Sequence, residues 1–229
     1  MKYYRTMFSL IILAFASCTD IPDFELANTI DFGQIRMADS TIKKIPYLNP
    51  NEQFTFMDSA SNQFVADIKI ISERFKRSSR SYPYDNSEER ITIQYQEQEL
   101  STTINIDELD IEFTLLTQVH VYQENIFNAN YEDLKLSDFA NVSASTPILP
   151  LSGDVSITAH RRGMESDIPE TVPPLSSYII NGKEYKNVYT NKGTANEVLF
   201  DNTVIYFNFE FGIIAFKDKV SGITYFLKE

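Results

Sequence analysis

One cysteine, no tryptophan and two histidines in 229 residues exclude much chemistry from the start. A single thiol can form no intramolecular disulfide and no cysteine-based zinc site. The two imidazoles fall on polar faces of predicted strands, His120 with Gln118 and Tyr122, and His160 after Ser156 and Thr158. Both read as solvated or loosely hydrogen-bonded side chains. The chain has no Gly-rich phosphate loop, no G-x-S-x-G elbow, no H-E-x-x-H helix and no EF-hand calcium loop. The expectation is a non-enzymatic protein, with no catalytic residue, no metal and no cofactor.

Positive charge is also scarce. Twenty Lys and Arg face 32 Asp and Glu, a net of −12 at pH 7. Such an excess disfavours nucleic acid as a partner, because a phosphate backbone is bound through cations. Four acids cluster at Asp107, Glu108, Asp110 and Glu112. Paired carboxylates hydrolyse glycosides only at a set separation across a cleft. Spacing along a chain does not establish that, so the cluster reads as a solvated acidic turn leading into a strand. The most unusual composition is ERFKRSSRSYPYDNSEER, Glu73 to Arg90. It reads as a long polar hairpin connection. Arginine and tyrosine are enriched where binding energy concentrates, so Arg77, Arg80, Tyr82 and Tyr84 are its candidate contacts for a protein or glycan ligand.

Apolar residues make up 43% of the chain, including 17 Phe and 13 Tyr, and many alternate with polar ones. Ile91, Ile93 and Tyr95 do so, and Ile111, Phe113, Leu115, Val119 and Val121 share one face of a longer segment. Period-two alternation marks strands with one face on a core and one on water. Ile205, Phe207, Phe209 and Phe211 form a similar stripe, with Asn208 and Glu210 opposite. That pattern predicts a buried Phe209 and an exposed Asn208. Shorter strands are expected at Phe54–Met57, Phe64–Ile71, Val155–Ala159 and Ile223–Leu227. Asn49-Pro50-Asn51, Tyr82-Pro83, Asn181-Gly182 and Ser221-Gly222 are turn signals, and Asn181-Gly182 has the chemistry of a tight hairpin. Tyr131–Phe139 carries the main helical signal. Five of the nine prolines lie between Pro147 and Pro174, so two lobes would divide near 140–175. The fold class expected is all-β, an antiparallel β-sandwich-like architecture with at most one or two short helices.

The lone cysteine follows MFSLIILAFA, Met7 to Ala16, which is preceded only by the positive Lys2 and Arg5. A positive start, a short apolar run and small residues before a cut site form a secretory signal. The run is too short for a spanning helix of about 20 residues. FASC, Phe15 to Cys18, resembles a bacterial lipobox, with Phe15 where Leu is usual. The resemblance implies cleavage after Ser17 and lipidation of Cys18. Each buried CH₂ contributes about 0.8 kcal/mol, so two or more chains anchor stably. Residues 1–17 hold two positive charges and no acid, which leaves −14 from Cys18 onward. The expected organisation is a signal peptide over 1–17, a lipidated cysteine and tether over 18–30, and a β-rich extracytoplasmic domain over 31–229.

Asp20, Asp23 and Glu25 resemble the acidic stretch after the lipidated cysteine of surface lipoproteins of the Bacteroidota. From Asn181 to Glu229, Asn181-Gly182-Lys183-Glu184-Tyr185 through Tyr189, then Gly212 to Phe216, resemble the ending of small lipoproteins of that group. The resemblance implies a lipid-anchored protein of the cell envelope, in the outer membrane, with a binding or structural role. Its partners would be membrane lipid through Cys18 and an unidentified protein or glycan. The alternative is a carbohydrate-binding or carbohydrate-processing surface protein. Absence of Trp counts against that reading, since Trp is the best stacking platform, although Tyr82 and Tyr84 could substitute.

Overall fold

The computed structural model describes residues 29–50, 52–83, 90–122, 135–147, 149, 151–162, 174–192 and 202–228. The strands are β1 (Thr29–Ile35), β2 (Gln53–Met57), β3 (Gln63–Pro83), β4 (Arg90–Ile106), β5 (Ile111–Tyr122) and β6 (Lys135–Ser145). They continue as β7 (Gly153–Arg162), β8 (Leu175–Ile180), β9 (Lys183–Thr190), β10 (Thr203–Asn208), β11 (Gly212–Asp218) and β12 (Thr224–Lys228). One four-residue helix, α1 (Asp39–Ile42), and a 3-10 turn at Asp107–Leu109 complete the described elements. The protein is all-β, as expected. In place of two separate sheets there is one 12-stranded sheet, ordered β7-β6-β5-β4-β3-β2-β12-β11-β10-β9-β8. Its pairings are antiparallel except that β1 runs parallel to β4.

The sheet curls into a half-barrel over its own core, bringing β6 and β7 against β10. At that seam the Ser152 carbonyl accepts hydrogen bonds from Thr203 N (2.7 Å) and Asn202 N (3.0 Å). Gly153 packs flush on the Thr203 carbonyl. The main core gathers Phe56, Ala66, Ile104, Phe113, Leu115, Val142, Ile157, Ile205, Phe207 and Phe216 from β2 to β7, β10 and β11. A second cluster joins Ile35 and Met37 to Ile93, Tyr95, Val119 and Val121. The expected face of β5 is the buried one, and Thr117, 0% exposed, belongs to the same alternation.

Four expectations are corrected. The segment from Glu73 is not a connection: Glu73–Pro83 is the outer half of β3, paired with β4 through Pro83↔Arg90. Its apolar residues are too few to betray a strand, and polar cross-strand pairs support it instead. Ser78 Oγ donates to Glu97 (2.8 Å), Arg77 Nη2 to Gln94 (2.6 Å) and Gln98 Nε2 to Glu73 (2.8 Å). The expected helix at Tyr131–Phe139 is strand from Lys135 onward, the start of β6. Nor does the 205–211 stripe continue to Phe211. The strand ends at Asn208, whose Oδ1 accepts from Phe211 N (2.7 Å) to close a three-residue hairpin loop. Asn208 is therefore buried, Phe209 is half-buried against Phe207 and Tyr189, and Phe211 packs on Tyr185. Lastly, β10 has no wet face. Val204 and Tyr206 are covered by Ile180, Tyr185 and Val188 of the β8–β9 hairpin.

Turn chemistry holds at Asn181-Gly182, where both residues have positive φ (48° and 82°) and join β8 to β9. The region 140–175, where two lobes would divide, contributes β6 and β7 to the common sheet. β1 begins at Thr29, inside the stretch expected as tether. Behind it, α1 is held by a fully buried carboxylate. Asp138 Oδ2 accepts from Ala38 N (2.9 Å) and Thr41 Oγ1 (2.6 Å). Such charge-assisted bonds offset the desolvation of a buried anion.

Candidate functional site

Turns at one end of the half-barrel leave its core open. The β4–β5 connection there consists of the 3-10 turn and Asp110, which sits in the left-handed region (φ 52°). Between β6 and β7, Thr146 and Leu149 exchange backbone hydrogen bonds of 2.9 and 3.1 Å. The β11–β12 turn is tied by Asp218, whose carboxylate accepts from Val220 N (2.9 Å) and Ser221 N (3.2 Å). These three turns enclose a cavity of about 470 Å³. Leu109, Pro147, Leu149 and the exposed Val220 form its walls, while Phe216 and Tyr225 belong to the core beneath. A cleft of about 300 Å³ adjoins it, sharing Asp110, Ile111, Thr146 and Pro147 and adding Asn105, Asp107 and Glu112.

One acid of the cluster, Asp110, therefore lies at the edge of an apolar cavity. Asp110 lines both spaces, Asp107 and Glu112 line the adjoining cleft alone, and Glu108 lines neither. Asp107 also accepts from Lys69 Nζ at 3.4 Å, and this bond raises the lysine's pKa. Burial pushes the Tyr225 phenol upward, with Asp218 and Asp58 adding to the effect, so it stays neutral in the cavity. The arrangement suits a small apolar guest, neutral or cationic at its outer end. An anion would meet the carboxylates at short range.

The other polar concentration lies where β4 parts from β5, after the pair Glu99↔Gln118. Here Glu97 and Glu99 are 7% and 4% exposed. Arg74 Nε donates to Glu99 at 2.5 Å, and Ser78 Oγ donates to Glu97. His120 Nδ1 stands 3.7 Å from Glu97 Oε1, and its Nε2 meets Gln118 Nε2 at 2.6 Å. A hydroxyl nucleophile needs the imidazole as its neighbour. In this group the carboxylate stands between Ser78 and His120, so the cluster ties β3, β4 and β5 together.

Of the residues singled out from sequence, Arg77 is exposed and donates to Gln94 on the neighbouring strand. Arg80 and Tyr82 occupy β3 opposite Ile93 and Ile91, and their side chains lie outside the described residues. Cys18, Tyr84 and the side chain of His160 also lie outside them. Sequence reading missed the cavity because its walls come from Leu109, Leu149 and Tyr225, distant in the chain and unremarkable singly. The one local signal was the acidic run at 107–112. Among the described residues, no group of three or more His, Cys, Asp or Glu is placed to hold a metal. No described helix is long and apolar enough to cross a membrane. Comparison with family models, with curated proteins and with solved structures gives no match, so the functional reading rests on this chain's own residues.

Proposed function

We propose that this is a lipid-anchored protein of the cell envelope, tethered through Cys18, that binds a small apolar ligand at the open end of its half-barrel and catalyses no reaction. The observation that carries the binding role is the cavity floored by Phe216 and Tyr225 and edged by Asp110 and Asp218, with Asp107 and Glu112 in the adjoining cleft. Its volume, about 470 Å³, lies within the roughly 300–1,000 Å³ of small-molecule sites, which are mostly apolar with a few polar groups. A glycan is a poorer guest. Sugars stack on exposed aromatic faces, whereas Phe216 and Tyr225 are 1% and 7% exposed.

Two measurements test the parts separately. Metabolic labelling with a palmitate analogue is expected to mark the wild type and spare Cys18→Ala; equal labelling of both removes the anchor. For the cavity, the neutral probe N-phenyl-1-naphthylamine is expected to show saturable fluorescence with the wild type. Leu149→Trp, which adds a bulky ring to one wall, is expected to weaken that binding about tenfold or more. Equal binding by both proteins, or none by the wild type, removes the site.

A further inference from the structure

The sheet order has two ends, β7 and β8, and they are finished differently. β7 is closed. The curl brings it against β10, and Gly153 at its start packs on the Thr203 carbonyl. Its sequence also carries Asp154, Arg161 and Arg162. β1, which lies off that order, carries Asp31 and an irregular register. Sheets blunt their edges in these ways, by covering, charging or bulging them. β8 has none of these devices. Its sequence, LSSYII, holds no charge, proline or glycine, and its pairing with β9 keeps one register. Among the described residues, no strand lies on its other side.

The turn that follows β8 sets which backbone groups face outward. Asn181-Gly182 is a two-residue connection with both φ angles positive, closing on the pair Ile180↔Lys183. Such a turn closes on a hydrogen-bonded pair, so Ile180 and Tyr178 direct their N–H and C=O groups to β9. By alternation Leu175, Ser177 and Ile179 direct theirs away from it. The same three residues share one side-chain face. On that face Leu175 is 40% exposed and Ile179 is 69% exposed. An uncovered ladder and two uncovered aliphatics therefore coincide on one strand.

We infer that β8 is a dimerisation edge: it pairs antiparallel with β8 of a second copy of this chain, about a two-fold axis at Ser177, and continues the sheet across both molecules. In that register every outward residue exchanges both of its backbone hydrogen bonds. Each Leu175 lies opposite the partner's Ile179 on one face, so the pairing that satisfies the backbone also covers the exposed aliphatics. Shifting the register by two residues either way leaves an outward residue of each strand without its counterpart. Charge selects the place: copies of net −12 repel one another and meet most favourably along a strand that is itself uncharged. A two-fold pairing is closed, and with β7 covered it ends at a dimer rather than a fibre. The cavity lies among the β4–β5, β6–β7 and β11–β12 turns, so neither reading depends on the other.

Sedimentation velocity over a concentration series tests the edge. The wild type is expected to show a monomer–dimer equilibrium that tightens as sodium chloride is added, because screening relieves the repulsion between acidic copies. Ile179→Lys, which puts a charge into each half of the pairing, is expected to raise the dissociation constant about tenfold or more. Ser177→Pro, which removes the outward N–H at the axis, is expected to do the same. Val65→Lys, at an apolar position on β3 that is also 40% exposed, is the control and is expected to associate like the wild type. Unchanged melting temperatures show that the variants fold, and Ile179→Lys alone decides the matter if Ser177→Pro does not. A wild type that is monomeric throughout, or association equal in wild type and both β8 variants, overturns the inference. So does a loss in Val65→Lys that matches the loss in Ile179→Lys. Dimers kept in a folded Ser177→Pro but lost in Ile179→Lys show contact without strand pairing, and overturn it equally.

Discussion

Phe216→Ala is expected to lower the free energy of unfolding by about 3–5 kcal/mol, a large part of the roughly 5–15 kcal/mol that holds a domain folded. The ring is 1% exposed and touches aromatics from three other strands. It meets Phe56 of β2 edge-on at 5.2 Å and Phe113 of β5 at 5.0 Å, and it stacks on Tyr225 of β12 at 4.7 Å. Those neighbours are fixed by separate strand pairings, so none can collapse into the space left behind. Urea unfolding should show a lower midpoint with an unchanged slope. Phe209→Ala is the comparison. That ring is half-buried and touches Phe207 and Tyr189 at the loop, so its loss is expected to cost at most about half as much. Equal losses would contradict the placement of Phe209 beyond the end of β10.

Gly212→Ala is expected to be comparably damaging, by about 3–5 kcal/mol, through two additive causes. Gly212 has φ +78°, a region that costs other residues about 1–2 kcal/mol. In addition, an added Cβ would overlap the ring and hydroxyl of Tyr47. Tyr47 cannot yield. It is buried at φ +67°, its hydroxyl accepts from Ile213 N, and its ring meets Phe54 edge-on at 4.8 Å. Burial also pushes its phenol far above the ordinary tyrosine range, so it stays protonated in any folding condition. Gly182→Ala provides the control, because Gly182 has φ +82° with nothing within 4 Å of the new atom. Only the conformational cost of about 1–2 kcal/mol applies there. Similar melting temperatures for the two variants would remove the close approach to Tyr47.

What could be read in advance follows the range of the forces involved. Alternation in β5 was legible because one face meets the core along its whole length. The Asn181-Gly182 hairpin was legible because its two positive φ angles depend on those residues alone. The outer half of β3 was not, since Glu73–Pro83 is polar and its supports are residues 94–99 on the partner strand. The end of β10 was misjudged for a related reason. Asn208 looks like a wet position, yet its side chain closes the loop to Phe211 while its backbone pairs with Gly212.

The candidate site divides in the same way. The acidic run at 107–112 is local, so the sequence by itself determined that four acids would crowd one turn, that the strands would alternate, and that the chain would be strongly negative. Only the tertiary structure decided that Leu109 and Asp110 of this turn would line an apolar cavity with Leu149, Phe216 and Tyr225. That outcome depends on pairings such as β2 with β12, which join residues 53–57 to residues 224–228. A two-residue period specifies which side of a strand each residue takes. It does not specify which strands become neighbours, because that choice depends on burying the common core as the sheet curls. Asp218 and Lys217 were bound to face opposite ways from the sequence alone; what each would face was set by the curl.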